Sequence, residues 1–172
     1  GGAYPTSSAV SGSKDAFVYS NGSTVSATAT YGSTYTLPTP TRSGYTFLGW
    51  YTASSGGSKI STTTKLTANV TYYARWSINS YTLTYNVNGG NAVSPTSKSV
   101  QYGSAYDTLP TPTKNSDAEF TYVFAGWYTA ASGGTQVTAN TTMGAGNTTI
   151  YAHWTSTRRS YTIDYQITYG SL

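Results

Sequence analysis

Residues 49–57 read GWYTASSGG and residues 126–134 read GWYTAASGG, so one nine-residue phrase occurs twice in the chain. The two phrases stand 77 residues apart and differ at one position only, Ser54 against Ala131. A phrase that recurs with its surroundings predicts two copies of one structural unit, each with the phrase in the same place.

The repetition extends on both sides of this phrase. The second copy carries one extra residue at Asp107 and a short insertion around Asp117–Glu119. Matching residues on both sides indicate that a whole domain, rather than a short motif, has been duplicated. The aligned stretches are 31–57 with 102–134, and YYARW (72–76) with IYAHW (150–154).

The composition favours strands over helices. The chain of 172 residues contains 33 Thr, 24 Ser, 18 Gly and 18 Tyr, and 8% of its residues are charged, against about 25% in an average soluble domain. Thr, Tyr, Val and Ile favour strands, and an aromatic content of 15% is ample for a core. We therefore predict a mainly β protein with little helix.

The first strand of the second copy shows the clearest local pattern. Tyr81, Leu83, Tyr85 and Val87 alternate with polar residues, as in a strand that buries one face. Glycine pairs such as Gly89-Gly90 supply the positive φ that tight turns need. Each copy is therefore expected to consist of strands joined by turns.

The connector LPTPT occurs in both copies and has a different character. Its two prolines cannot donate ladder hydrogen bonds, so it is expected to form an extended edge or connector and not a central strand. The stretches 60–69 and 137–147 are expected to hold one short helical turn each, since their Thr and Gly content opposes anything longer.

These motifs together carry a resemblance to a known family. The opening YTLTYNVNGG, the connector YGS…LPTPT, the phrase GYTFLGWYT and the closing YYARW resemble the Listeria–Bacteroides repeat, the B-repeat type of internalin-like bacterial surface proteins. The resemblance implies two tandem small β-grasp-like domains, placed outside a bacterial cell. The predicted bounds are 1–14 for an N-terminal arm, 15–79 and 80–157 for the two repeat domains, and 158–172 for an extra C-terminal strand.

Residues 160–170, SYTIDYQITYG, are called the C-terminal segment below. They repeat the opening of the second copy, whereas the first copy opens with the shortened AFVYSNG at 16–22. An apolar face on an isolated strand needs a partner, and three are open: a third repeat, the second copy itself, or the first domain of another molecule. The candidate interface residues are Tyr161, Ile163, Tyr165, Ile167 and Tyr169.

The repeated Trp-Tyr phrase has two interpretations. Trp50 and Tyr51, with Trp127 and Tyr128, are candidates for stacking on sugar rings, which makes a carbohydrate-binding module the alternative function. In the second interpretation the tryptophan fills the core and the tyrosine covers an edge. Recurrence of the phrase together with its turn and strand period favours the scaffold interpretation.

The chain lacks the residues that several classes of protein function require. The chain has no cysteine, one histidine (His153) and five acidic residues, so no enzyme activity, metal or cofactor is expected, and His153 is expected at a surface strand end. The nine Lys and Arg are scattered, which argues against nucleic acid, and no apolar run is long enough to span a membrane.

The sequence therefore predicts an extracellular, non-enzymatic structural module. Its expected partners are copies of itself or neighbouring repeats of a longer chain, and glycans in the alternative function. The N-terminal GGAYPTSSAV has no charged stretch followed by an apolar one, so a signal peptide is expected to have been removed, or the chain to be an excerpt.

Overall fold

The computed structural model describes residues 28–170 and the backbone of Phe17–Val18. This part of the chain contains strands and turns and no helix, which confirms the mainly β prediction. None of its elements is a helix long and apolar enough to cross a membrane. The strands are β1 Phe17–Val18, β2 Thr34–Thr36, β3 Pro40–Thr41, β4 Tyr45–Tyr51, β5 Thr63–Lys65, β6 Tyr73–Ile78, β7 Ser80–Asn86, β8 Ser97–Gln101, β9 Phe120–Tyr128, β10 Gln136–Val137 and β11 Thr148–Arg158.

The second repeat forms one five-stranded sheet in the order β10-β9-β11-β7-β8. Its first and last strands are neighbours and run parallel, with Leu83 opposite Thr148 and Asn86 opposite Tyr151. Strand β9 pairs antiparallel on the other side of β11, with a bulge at His153/Trp154. The β-grasp-like detail stays a prediction, and this mixed sheet is compatible with it.

The core of this sheet follows the predicted alternation. Leu83 and Tyr85 on β7 are buried, whereas Thr82 and Asn86 are exposed. On β11 Ile150 and Ala152 are fully buried. Because side chains alternate across a strand, every second residue of these two neighbouring strands reaches the same apolar layer.

The first repeat pairs its strands differently. It contains three two-stranded sheets, β1-β3, β2-β5 and β4-β6. The β4-β6 pair repeats the β9-β11 pair, including a bulge, here between Phe47 and Gly49. Strand β1 lies parallel to β3 at Pro40–Thr41 and does not pair with β6. Within the described residues, β6 therefore pairs with β4 alone.

The expected helical turns at 60–69 and 137–147 are wrong. Thr63–Lys65 form β5 and pair with β2, and Val137 belongs to β10. The turn that follows β10 closes with the amide of Thr141 donating to the carbonyl of Thr138 at 3.0 Å. β-Branched threonines lose side-chain freedom in a helix and pack well on a pleated strand, which explains the difference. The connector LPTPT behaves as predicted, since it contributes only the two-residue β3.

The strand expected at 161–169 is not paired in this structure. The whole C-terminal segment lies outside the strands, and its side chains are exposed. An isolated strand is not stable in water, and this segment pairs with no strand edge within the described part of the chain.

By internal contacts the chain divides into two compact units. The first includes the described residues up to Tyr81 with 99–104 and 142–146, and the second contains 82–98, 105–141 and the described residues from 147 onward. The domain bounds predicted from the sequence stay a prediction, and the N-terminal arm 1–14 lies outside the described residues.

Candidate functional site

The tryptophans of the repeated phrase fix the proline connector. The indole Nε1 of Trp127 donates to the carbonyl of Pro110 at 2.8 Å, and Nε1 of Trp50 donates to Pro38 at the same distance. Trp127 is 3% exposed and Trp50 is half-buried. A proline connector has carbonyls that no neighbouring strand hydrogen-bonds. In each repeat, the indole N–H of the tryptophan donates to one of these carbonyls.

Aromatic rings surround both tryptophans. Phe47 lies edge-on to Trp50 with ring centroids 5.8 Å apart, and Phe124 lies edge-on to Trp127 at 5.6 Å. In the second repeat Tyr85 from β7 also contacts Trp127, at 5.4 Å. Edge-to-face contacts at this spacing stabilise a core beyond the area they bury.

The tyrosines of the phrase are each covered on one face by a nitrogen-bearing side chain. Tyr128 stacks on His153 with ring centroids 3.9 Å apart and planes 10° apart, and the guanidinium of Arg75 lies 4.2 Å over the ring of Tyr51. Nε2 of His153 lies 2.9 Å from the carbonyl of Ala130. Arg and His thus perform the same packing at aligned positions of the two repeats.

The same contacts place His153 and its counterpart in the scaffold. The expectation of a surface strand-end histidine is wrong, because His153 lies inside β11 and is half-buried. The guanidinium of Arg75 donates to the carbonyl of Ala53 at 3.0 Å and also to Gly56. Both side chains bond carbonyls of the turn that lies within the repeated phrase.

No observation in these contacts favours sugar binding at the four predicted stacking residues. Trp127 exposes little area, and one face each of Tyr51 and Tyr128 is occupied. The glycan alternative stays an untested prediction. In the part of the chain that the structure describes, no three His, Asp or Glu side chains form a group that could hold a metal ion.

The insertion at Asp117–Glu119 forms a polar turn that the sequence did not single out as a site. The carboxylate of Asp117 accepts from the hydroxyl of Tyr122 at 2.6 Å and from the amides of Phe120 at 2.7 Å and Glu119 at 2.8 Å. The Tyr122 hydrogen bond, these amides and the charge of Lys114 lower the pKa of Asp117. The hydrogen bond to Asp117 also raises the pKa of Tyr122.

The same turn holds the beginning of the C-terminal segment. The amide of Arg159 donates to the carbonyl of Glu119 at 2.7 Å, and its guanidinium donates to the carbonyl of Asp117 at 2.9 Å. The hydroxyl of Tyr161 donates to the carbonyl of Ala118 at 3.1 Å. The first copy has no such insertion, and this difference between the copies was the available signal.

Beyond this anchor the segment presents an uncovered apolar face. Tyr161 is 67% exposed, and the four large side chains that follow it on every second residue are more exposed. A row of large, exposed apolar and aromatic side chains on every second residue is unusual on a protein surface. The remaining values are 82% for Ile163, 85% for Tyr165, 75% for Ile167 and 93% for Tyr169.

Comparison with known proteins gives one family and several relatives. The model of the Listeria-Bacteroides repeat domain matches the chain twice, over residues 17–75 and 81–153. Internalin H of Listeria monocytogenes is 43% identical over 119 residues, which cover 67% of this chain and 20% of that protein. No solved structure matches.

Two further relatives come from Evansella cellulosilytica. A putative membrane protein is 33% identical over 129 residues, or 73% of this chain and 18% of its own length. A putative Gly-rich membrane protein is 32% identical over 133 residues, or 73% of this chain and 14% of its own length. The chain therefore spans a fifth or less of the length of these three relatives.

Proposed function

Because the chain belongs to the Listeria-Bacteroides repeat domain family, we propose that it is an extracellular structural module of a bacterial surface stalk, adhesin or filament. The double family match carries this proposal, since tandem copies of one small domain extend a chain without adding a catalytic site. Relatives named as an internalin and as membrane proteins support a place at the cell surface.

The contacts of the repeats support a structural, non-enzymatic role. The aligned side chains that the repeats share, the Trp–Pro hydrogen bonds and the covered tyrosines, all stabilise the fold. With 8% charged residues and a coat of Thr and Ser hydroxyls, little on the surface titrates or is screened by salt. Such a surface suits a module that faces varying conditions outside the cell.

Labelling of intact cells tests the proposed location. An antibody raised against this chain should label intact cells of the source organism under immunogold electron microscopy, and brief protease treatment of whole cells should remove the label. Label that appears only after the cells are permeabilised would contradict the extracellular location.

The finer part of the proposal is that subunits join by donating the C-terminal segment to the next molecule. The segment has the residue pattern of β7, a strand that in the second repeat lies beside β11. Its apolar face is uncovered in the single chain. Strand addition between identical subunits is head-to-tail, and it propagates into a fibre when the operation does not close.

A matched pair of variants tests strand donation. Ile163→Asp with Ile167→Asp places two charges on the apolar face, and Thr162→Asp with Thr168→Asp places two charges on the opposite face. All four residues are exposed, so both variants should leave the monomer folded. Electron microscopy and size-exclusion chromatography should show assembly lost in the first variant and kept in the second. Assembly that persists in the first variant would contradict strand donation.

A further inference from the structure

An open groove lies beside Trp76 in the first repeat. Its volume is about 540 Å³, and aromatic rings and the connector form its walls. Within the described residues, Nε1 of Trp76 makes no hydrogen bond, although the indole N–H is a strong donor. The residues that line the groove are Pro40, Thr41, Arg42, Ser43, Tyr45, Phe47 and Trp76.

In the second repeat, the residues that follow β7 fill the corresponding place. Nε1 of Trp154, the counterpart of Trp76, donates to the carbonyl of Val87 at 3.2 Å. Gly90 lies against the ring of Trp154, and a Cβ there would also meet the carbonyl oxygen of Thr113 at 2.9 Å. The amide of Asn91 donates to that same oxygen at 2.7 Å. Residues 87–91 therefore close this side of the second repeat.

The strand next to the groove is also shorter than its counterpart. Strand β11 begins at Thr148, and its residues 148–150 pair with β7 alone, because β9 joins only at Tyr151. In the first repeat β6 begins at Tyr73, opposite Tyr51 of β4. Residues 70–72 thus align with 148–150, the part of β11 that pairs with β7 and with no other strand. In the described structure, residues 70–72 have no ladder partner.

Up to Ile167, the C-terminal segment matches the first strand of the second repeat. Residues 160–170 align with 80–90 without a gap. Ile163 takes the place of the fully buried Leu83, whereas Thr168 and Tyr169 stand where Asn88 and Gly89 have φ of 47° and 80°. The remaining matches on this face are Tyr165 with Tyr85 and Ile167 with Val87.

Building on the proposed strand donation, we infer that the groove beside Trp76 and the backbone of residues 70–73 accept residues 160–167 of a second copy. These residues adopt the register that 80–87 has in the second repeat, and Trp76 donates to the carbonyl of Ile167. The paired residues are then Ile163 with Val70, Asp164 with Thr71, Tyr165 with Tyr72 and Gln166 with Tyr73.

Disulfide trapping tests the register directly, because the chain contains no cysteine of its own. Thr71→Cys in one preparation is mixed with Asp164→Cys in another, and both positions are exposed in the single chain. Neighbouring strands lie about 4.8 Å apart, which is within disulfide range. Mild oxidation should give the mixed dimer as the main product, identified by mass spectrometry. Thr71→Cys mixed with Gln166→Cys, two residues out of register, should give about tenfold less.

The outcomes separate this inference from the proposal on which it rests. Equal yields from the two cysteine pairs, with assembly still lost in the Ile163/Ile167 variant, would overturn this acceptor site and leave strand donation standing. Absence of any mixed dimer would overturn the acceptor site as well. Assembly that is unchanged in the Ile163/Ile167 variant would contradict both this acceptor site and strand donation.

Discussion

The imidazole of His153 stacks on the phenol ring of Tyr128 with centroids 3.9 Å apart, while Arg75 covers Tyr51 at the aligned place of the first repeat. Because Arg and His do the same packing there, His153→Arg should keep most of the stability. His153→Ala should lose on the order of 1 kcal/mol, the scale of one ring contact and one hydrogen bond.

Urea unfolding followed by circular dichroism measures this comparison. Asp164→Ala, at an exposed position away from the stack, is the control and should lie within about 0.5 kcal/mol of the parent. Equal losses for the Arg and Ala variants would show that the stack contributes through the imidazole alone and not through a role shared by the repeats.

The two tryptophans of the repeated phrase should differ in their contribution to stability. Trp127→Ala should cost about 3–5 kcal/mol, since the side chain is 3% exposed, and Trp50→Ala should cost less because Trp50 is only half-buried. Trp127→Phe keeps most of the apolar volume but leaves the carbonyl of Pro110 without its donor, at about 1–3 kcal/mol.

Thermal unfolding by circular dichroism measures these losses, with the exposed Tyr31→Ala as a near-neutral control. A glycan array run on the same variants separates the scaffold from the sugar site. Binding of a sugar that disappears in Trp127→Ala while the fold is retained would support the carbohydrate alternative against the scaffold interpretation.

The hydrogen bond between Asp117 and Tyr122 should make stability depend on pH at both ends of the range. The lowered pKa of Asp117 contributes stability that is present above the pKa of an unfolded aspartate and is lost as the pH falls through the folded value. The raised pKa of Tyr122 contributes stability that is present below about pH 10 and is lost as the pH rises through the folded value.

Tyr122→Phe should therefore reduce both effects together. Carboxyl titration by NMR should show the pKa of Asp117 rising toward its ordinary value, and urea unfolding over a pH series should show a flatter profile. Tyr165→Phe removes a hydroxyl from an exposed ring and serves as the control. An unchanged Asp117 titration in Tyr122→Phe would contradict this prediction.

Glycine at the bulge of each long hairpin is required by the backbone. Gly49 and Gly126 have φ of 132° and 130°, a region that side-chain-bearing residues rarely adopt. Gly126→Ala should cost about 1–2 kcal/mol. Gly144→Ala, with ordinary φ and open space, should be neutral or stabilising by up to about 1 kcal/mol. Chemical unfolding of the two variants checks this, and a loss in Gly144→Ala as large as in Gly126→Ala would contradict it.

The sequence predicted the local features of this protein well. The alternation of Leu83 and Tyr85, the buried Trp127 and the connector character of LPTPT all follow from properties of a few neighbouring residues. The helical turns were wrong because the threonines of β5 found partners on β2, which lie far from them in the chain. The polar turn at Asp117 was missed because its hydrogen bonds depend on the fold of one insertion.

By itself the sequence determined the β class, the two copies and which face of each strand is apolar, because side-chain periodicity is a local property of the backbone. Only the tertiary structure decided which edges pair. It placed β7 beside β11, and within the described residues it left 70–72 without a ladder partner and Ile163 exposed. Strand pairing joins residues far apart in the chain and depends on which edges the rest of the fold leaves open.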